Sequence, residues 1–192
     1  MKKLTKREHD IIYKPRTGEE MSDATLHKVP IHKYSDLCRI ARKTSPASML
    51  AQMFKQSPDH IILLQDPSDM NSGHWISVSR NPLKREIYFF STYGGKPDVE
   101  KIQWMCEDDL RQSGQDLNIF NDGLHEAQKH GWEIHYNDYP YQKSGDQTAV
   151  CGIFTAAFLR SGKNPDEFER MTKEIIKQGQ NPAVVYFDRY FK

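Results

Sequence analysis

The sequence lacks several features that would assign a protein to a class at once. Its 192 residues include only three cysteines, Cys38, Cys106 and Cys151, and no CxxC pair. An odd number of widely separated cysteines argues against a disulfide framework or a structural zinc site, and it favours a reducing compartment. Eight histidines are present, but no HxH or HExxH spacing joins them. We therefore expect no metal ion and no cofactor.

Long apolar runs and an excess of one charge are also absent. No stretch approaches the roughly 20 apolar residues that a membrane span requires. The basic residues within positions 1–7 are not followed by the apolar segment of a secretory signal. We therefore expect a protein that is neither secreted nor embedded in a membrane. Lys plus Arg number 27 and Asp plus Glu number 26, a formal charge of +1, which argues against a broad basic face for nucleic acid.

The order of the predicted elements indicates an α+β protein. Residues 1–34 are polar and rich in turn signals, so we expect a loosely structured, flexible N-terminal arm with room for one short helix, followed by a single domain over residues 35–192. Three short β-rich runs predict neighbouring strands at residues 61–64, 74–79 and 85–90. Helical patterns precede and follow these strands. The sequence thus predicts a central mixed sheet flanked by helices.

Cys151 is a candidate nucleophile from its position alone. It follows a polar loop that contains glycine and begins the most apolar helical segment, residues 151–159. A helix N-terminus presents free N–H groups and a positive dipole end, which stabilise a thiolate. A small buried core cysteine would produce the same pattern, so the hypothesis needs a partner base. Cys38 and Cys106 fall in predicted helices beside apolar residues, where packing explains them.

His74 is the histidine best placed to serve as that base. It stands at the start of a predicted strand, directly after Asn71-Ser72-Gly73 and before Trp75. A ring at this point can be held rigidly near a second element of the fold. The alternative is an ordinary histidine at the edge of a loop.

Three short motifs occur in a chain order that resembles the adenovirus-type cysteine proteases. They are Gly73-His74-Trp75, the strand end Tyr88-Phe89-Phe90-Ser91-Thr92-Tyr93-Gly94, and Gln142 upstream of Cys151-Gly152. Together they resemble the adenain and SUMO-specific protease superfamily over residues from about 60 to 160. The Gln142-to-Cys151 spacing is most similar to that of maturation proteases from mavirus-like virophages and Polinton-type elements. The resemblance implies a papain-like α+β fold of the adenain type, with the nucleophile at a helix N-terminus.

The resemblance also implies catalytic roles. Cys151 would be the nucleophile and His74 its base. Gln142 would donate its side-chain amide to an oxyanion hole that is completed by the backbone N–H of Cys151 or Gly152. Gln147 is a rival for the glutamine's role, although its shorter distance in sequence from Cys151 leaves little chain to form the loop.

The third catalytic position departs from the family pattern. The family has Asp or Glu where this chain has Ser91. A hydroxyl group can orient an imidazole ring, but it cannot balance the full charge of imidazolium. Either the third member is weak here or an acid elsewhere replaces it, with Asp98 as a candidate.

The substrate groove is expected beside the catalytic residues. Gly73, Trp75 and Gly152 would border it, with the substrate strand adding to the edge of the His74 strand. Trp75 would cover the catalytic residues and shield them from water. The alternative is that Trp75 is a strand aromatic that faces the core.

The function implied by the resemblance is that of a viral cysteine endopeptidase, which cleaves capsid or core precursors during virion maturation. Its substrate would be a capsid precursor protein, DNA or a peptide would be a candidate activator, and the enzyme would be a monomer in the virion and the host cytoplasm. Three alternatives stay open. They are a deubiquitinase- or deSUMOylase-like isopeptidase, an acetyltransferase, and a non-catalytic binding module with the same fold.

Overall fold

A five-stranded mixed sheet forms the centre of the computed structural model, which describes residues 29–142 and 150–191. The strands lie in chain order: β1 Ile31–Lys33, β2 Asp59–Asp66, β3 Asp69–Asn81, β4 Glu86–Ser91 and β5 Glu133–Tyr136. The strands β2, β3 and β4 form an antiparallel meander, whereas β1 is parallel to β2 and β5 is parallel to β4. The predicted mixed sheet is thereby confirmed.

Eight helices surround this sheet in the described part of the chain. They are α1 Tyr34–Lys43, α2 Pro46–Gln56, α3 Lys101–Trp104, α4 Glu107–Gln112, α5 Ile119–Lys129, α6 Cys151–Ser161, α7 Pro165–Lys177 and α8 Pro182–Phe191. Local signals start two of them as the sequence predicts. The Ser45 side chain accepts a hydrogen bond from the backbone N–H of Ser48 at the start of α2, and Asn164 forms a capping box with Glu167 at the start of α7.

The two faces of the sheet carry separate hydrophobic clusters, because successive side chains of a strand point to opposite faces. One face, with Ile76 and Phe89, packs against α1, α2 and α5. The other face, with Tyr88 and Phe90, packs against α6, α7 and α8. The Phe90 ring stacks on Phe158 of α6 with 4.5 Å between ring centroids. The α+β class with helices on both faces of the sheet is confirmed. No helix in residues 29–142 and 150–191 is long and apolar enough to cross a membrane.

Three details differ from the sequence expectations. Residues 31–33, assigned to the arm, pair with β2 and extend the sheet; residues 1–28 lie outside the described residues. The single helix expected from Asp98 to about residue 111 is two helices, because the chain is extended at Met105 and Cys106. Cys106 is exposed rather than packed, and its sulfur accepts a hydrogen bond from the Asp109 N–H at the start of α4. Cys38 is buried, as packing requires.

Candidate active site

The site lies where β3 continues beyond the end of β4. The last β3–β4 pair joins Ile76 to Ser91, whereas β3 stays paired with β2 through Trp75, His74 and Gly73. The segment from Gly73 to Trp75 therefore extends beyond the end of β4 and is paired with β2 alone. The helix α6 begins beside this segment, since the Thr155 hydroxyl donates a hydrogen bond of 3.1 Å to the Trp75 carbonyl oxygen.

His74 is held within this segment by Ser91 and Tyr93. Its Nε2 atom lies 3.0 Å from the Ser91 Oγ atom, and its ring stacks on the Tyr93 ring at 4.1 Å between centroids and 19° between planes. Both His74 and Ser91 are buried. The second ring nitrogen of His74, Nδ1, is buried without a hydrogen-bond partner among the described residues. The serine thus orients the ring through Nε2 and leaves Nδ1 unengaged.

Asn137 fixes the strand end that carries Ser91. Its side-chain Oδ1 accepts the Ser91 backbone N–H at 3.0 Å, and its Nδ2 donates to the Ser91 carbonyl at 2.7 Å and to the Tyr139 carbonyl at 3.0 Å. Asn137 is itself 2% exposed, so water does not compete for these bonds. The backbone of Ser91 therefore has a defined position, and so does the hydroxyl that meets His74.

Cys151 is the first residue of α6, and its thiol faces three backbone amides. The N–H groups of Trp75, Gly152 and Cys151 itself favour the thiolate, but burial is the largest effect and raises the pKa of Cys151. Burial also lowers the pKa of His74 to about 3. Near neutral pH the two groups are therefore a thiol and a neutral imidazole. The sequence predicted a thiolate from the helix N-terminus alone, and here desolvation outweighs the helix.

Gln142 is tied to the same strand end through Thr92. The backbone N–H groups of Tyr141 and Gln142 both donate to the Thr92 carbonyl oxygen, at 2.7 and 3.1 Å. The Gln142 side chain is buried, and its Oε1 atom has no hydrogen-bond partner among the described residues. Its rival Gln147 lies outside the described residues. The backbone of Gln142 is thus hydrogen-bonded to Thr92, the residue that directly follows Ser91 at the end of β4.

Asp98 has a structural task that differs from the one considered from sequence. Its Oδ1 atom accepts the Tyr34 hydroxyl at 2.6 Å, and its Oδ2 atom accepts the backbone N–H groups of Phe120 and Asn121 at 3.0 and 2.8 Å. These amides belong to the first turn of α5, whose own N-cap residue, Asn118, makes no side-chain cap. Asp98 therefore caps α5 from a distant part of the chain, and Ser91 is the side chain that meets His74.

The residues expected to border a substrate groove have distinct environments. Gly73 has φ +146°, and a Cβ atom there would lie 2.1 Å from the Leu64 carbonyl oxygen, so close strand pairing requires glycine. Trp75 packs, half-buried, against the cluster of Ile61 and Ala156 between the sheet and α6, which matches the alternative of a core-facing strand aromatic. Gly152 is buried in the first turn of α6.

Comparison with known proteins yields similarity of fold alone. No protein-family model and no curated protein matches the chain. Two solved structures of SUMO protease Ulp1 are similar to it. One, with the catalytic cysteine oxidised to a sulfonic acid, has a TM-score of 0.35 and 14% identity, with 80% of this chain and 67% of that chain covered. The other, oxidised to a sulfinic acid, has a TM-score of 0.36 and 13% identity, with 97% and 77% covered. Similarity at this level assigns neither a family nor an activity to the chain.

Sequence reasoning missed two residues of the site. Tyr93 lay within the quoted strand-end motif, but nothing in the pattern indicated that its ring stacks on His74. Asn137 fell in a stretch of turn residues, where asparagine is common for local reasons. Its long-range bonds to Ser91 have no local signal.

Proposed function

We propose that the chain is a cysteine protease in which Cys151 attacks the scissile carbonyl and His74 accepts the thiol proton. One observation carries the proposal: the backbone N–H of Trp75, the residue directly after His74, faces the Cys151 thiol. This contact puts the residue that follows the candidate base beside the candidate nucleophile, although the two elements are distant in sequence. The unpartnered Nδ1 atom of His74 provides the free acceptor that a general base needs.

The proposed reaction has two stages. The Cys151 proton moves to Nδ1 of His74 as the sulfur attacks the carbonyl carbon. The Gln142 side-chain amide and a backbone N–H at the start of α6 donate hydrogen bonds to the oxyanion that forms. The C–N bond then breaks, and His74 returns the proton to the leaving nitrogen. Water hydrolyses the thioester in the second stage, giving one proton to His74, which passes it to the departing sulfur.

Ser91 would act as the partner of His74 in this scheme. With Nε2–H donated to the serine oxygen, the ring keeps the tautomer whose Nδ1 lone pair can accept a proton. A serine adds no negative charge, so it stabilises the imidazolium intermediate less than a carboxylate would. The proposed enzyme therefore relies on Ser91 for orientation and on other groups for the stabilisation of charge.

We further propose that the substrate is a viral capsid or core precursor, cleaved during virion maturation. The support is the order and spacing of the Gly73-His74-Trp75, Ser91 and Gln142 to Cys151 motifs, which resemble the mavirus-like virophage and Polinton maturation proteases. A monomer that acts in the virion and host cytoplasm belongs to the same proposal. So does activation by DNA or a capsid peptide, because a pair that is neutral at rest suits an enzyme that awaits an activator.

A non-catalytic binding module is the second candidate. It is favoured by the neutral state of Cys151 and His74 and by the uncharged Ser91 at the third position. The same burial that positions a catalytic pair also stabilises an inert core pair. Activity measurements distinguish the two candidates.

The test measures cleavage by the full chain of a library of internally quenched peptides, with and without duplex DNA. A fluorogenic C-terminal amide of SUMO is a second substrate. We expect internal peptide bonds to be cut, with activity lost in Cys151→Ala and kept in Cys106→Ala, which removes an exposed thiol. Release from the SUMO amide alone would indicate an isopeptidase. Cleavage of neither substrate would contradict the protease proposal and favour the binding module.

A further inference from the structure

A second group of reactive side chains lies at the opposite end of β4 from Ser91. Glu86 of β4 and Glu133 of β5 are register partners, and His135 lies two residues beyond Glu133 on the same face of the sheet. One ligand atom from each of these three side chains lies within 4.8 Å of the other two. Glu86 and Ser91 are the two ends of β4 and lie five residue steps apart, about 17 Å at the usual rise of about 3.3 Å per residue. The group is therefore distinct from the thiol site.

The imidazole of His135 is aimed at both carboxylates. Its Nε2 atom lies 3.3 Å from the Glu133 Oε1 atom and 4.0 Å from the Glu86 Oε1 atom. Neither contact is a hydrogen bond, and this buried nitrogen has no hydrogen-bond partner in the part of the chain that the structure describes. An unpaired ring nitrogen between two carboxylate oxygens is an arrangement that a shared cation would complete.

The two glutamates place two carboxylates side by side on neighbouring strands. The Glu133 side chain is 70% exposed and can adjust its position, whereas the Glu86 side chain is only 19% exposed and is held in place. Its second oxygen, Oε2, accepts a hydrogen bond from the Tyr88 hydroxyl, which orients the carboxylate and leaves Oε1 free towards His135. Metal ligands are commonly oriented by such outer hydrogen bonds.

We propose that Glu86, Glu133 and His135 bind one divalent transition-metal ion, with Zn²⁺ the best match. Imidazole and carboxylate groups are both Zn²⁺ ligands, with metal–ligand distances of about 2.0–2.2 Å that place tetrahedral ligand atoms about 3.4 Å apart. The His135 distances of 3.3 and 4.0 Å are close to that spacing, so small side-chain movements complete the geometry. A fourth position is left for water. The ion fastens the edge strand β5 to β4.

The sequence predicted no metal site, because its ligands come from two strands that are distant in the chain. A search for HxH or HExxH spacing detects ligands that lie on one element. Here only the parallel pairing of β4 with β5 brings Glu86 beside Glu133. The proposed site is therefore visible in the fold alone.

The test measures Zn²⁺ binding to the full chain by competition with a chromophoric chelator. All proteins carry Cys151→Ala, which removes the thiol of the proposed active site as a competing ligand. We expect one bound Zn²⁺ per chain and a weakening of at least about hundredfold in His135→Ala. Tyr88→Phe should weaken binding by about 10- to 100-fold, as removal of an outer partner typically does. The matched control is His130→Ala, which removes an exposed ring 3.5 Å from Glu126 and should leave binding unchanged.

Thermal unfolding gives a second readout. Bound Zn²⁺ stabilises the folded chain by mass action, so saturating Zn²⁺ should raise Tm in the Cys151→Ala parent but not in its His135→Ala derivative. Circular dichroism of both proteins without metal establishes that the derivative is folded. Equal Zn²⁺ affinity in these two proteins, or no saturable binding to the parent, would overturn the proposal.

Discussion

Glu100 is a buried carboxyl group whose ionisation should oppose folding. Its residue is 4% exposed, and burial raises the pKa of Glu100 from 4.5 to about 8. Between these two pH values the unfolded chain releases a proton that the folded chain keeps. The free energy of unfolding should therefore fall as pH rises from 4.5 to 8, and the contribution of Glu100 should be most favourable below pH 4.5.

The variant Glu100→Gln removes this titration while keeping the size of the side chain. One pKa unit corresponds to about 1.4 kcal/mol, so three pH units inside the window correspond to about 4 kcal/mol. The free energy of unfolding of the variant, relative to the wild type, should therefore rise by up to about 4 kcal/mol between pH 5 and pH 8. Urea unfolding at each pH, followed by tryptophan fluorescence, measures this difference.

Titrating groups that do not interact with Glu100 cancel in this comparison. Burial lowers the pKa of His74 to about 3, so His74 makes stability rise with pH up to about 6.5, but it does so in both proteins. The matched control is Glu174→Gln, which makes the same change at a side chain that is 60% exposed. If the Glu100→Gln difference varied with pH no more than the difference of this control, Glu100 would not be protonated in the folded chain and the reasoning would be refuted.

Three further substitutions have definite expected outcomes. Gly73→Ala places a Cβ atom 2.1 Å from the Leu64 carbonyl oxygen and should cost about 2 kcal/mol or more in urea unfolding; a loss below about 0.5 kcal/mol would show that β3 can shift. Asp98→Ala leaves buried donors of α5 unpaired and should cost about 3 kcal/mol, whereas wild-type stability would contradict the capping role. Ser91→Asp puts a carboxylate beside His74 and should raise the pKa of His74 by about one to three units, detected by NMR titration; an unchanged pKa would exclude electrostatic contact.

Local signals explain which parts of the fold could be predicted from sequence. The capping residues Ser45 and Asn164 act through their own helix turns, so their helices begin where expected. The meander of β2, β3 and β4 joins consecutive segments through short turns, and its order follows from the chain. In contrast, β1 is three residues long and forms only because β2 offers an edge for parallel pairing. Nothing in the polar sequence around Ile31 indicates that partner.

The order of the short motifs in the chain was enough to select the residues of the candidate site. His74 and Ser91 were singled out in sequence, and the pairing of β3 with β4 puts their side chains 3.0 Å apart. Desolvation was not predictable, because it depends on everything that packs around Cys151 and His74. A helix N-terminus can be recognised in a sequence, but the burial that raises one pKa and lowers the other is a property of the folded chain.

The most direct test of the central claim, that His74 activates Cys151, is the rate of alkylation of each cysteine. Brief treatment with iodoacetamide near neutral pH, followed by mass spectrometry, gives the rate for Cys151 and for the exposed Cys106 in the same molecule. We expect Cys151 labelling to slow by at least about hundredfold in His74→Ala, as loss of a general base typically does, while Cys106 labelling stays constant. Equal Cys151 rates in the two proteins, both without and with duplex DNA and capsid peptide present, would contradict the claim and leave Cys151 as a packing residue.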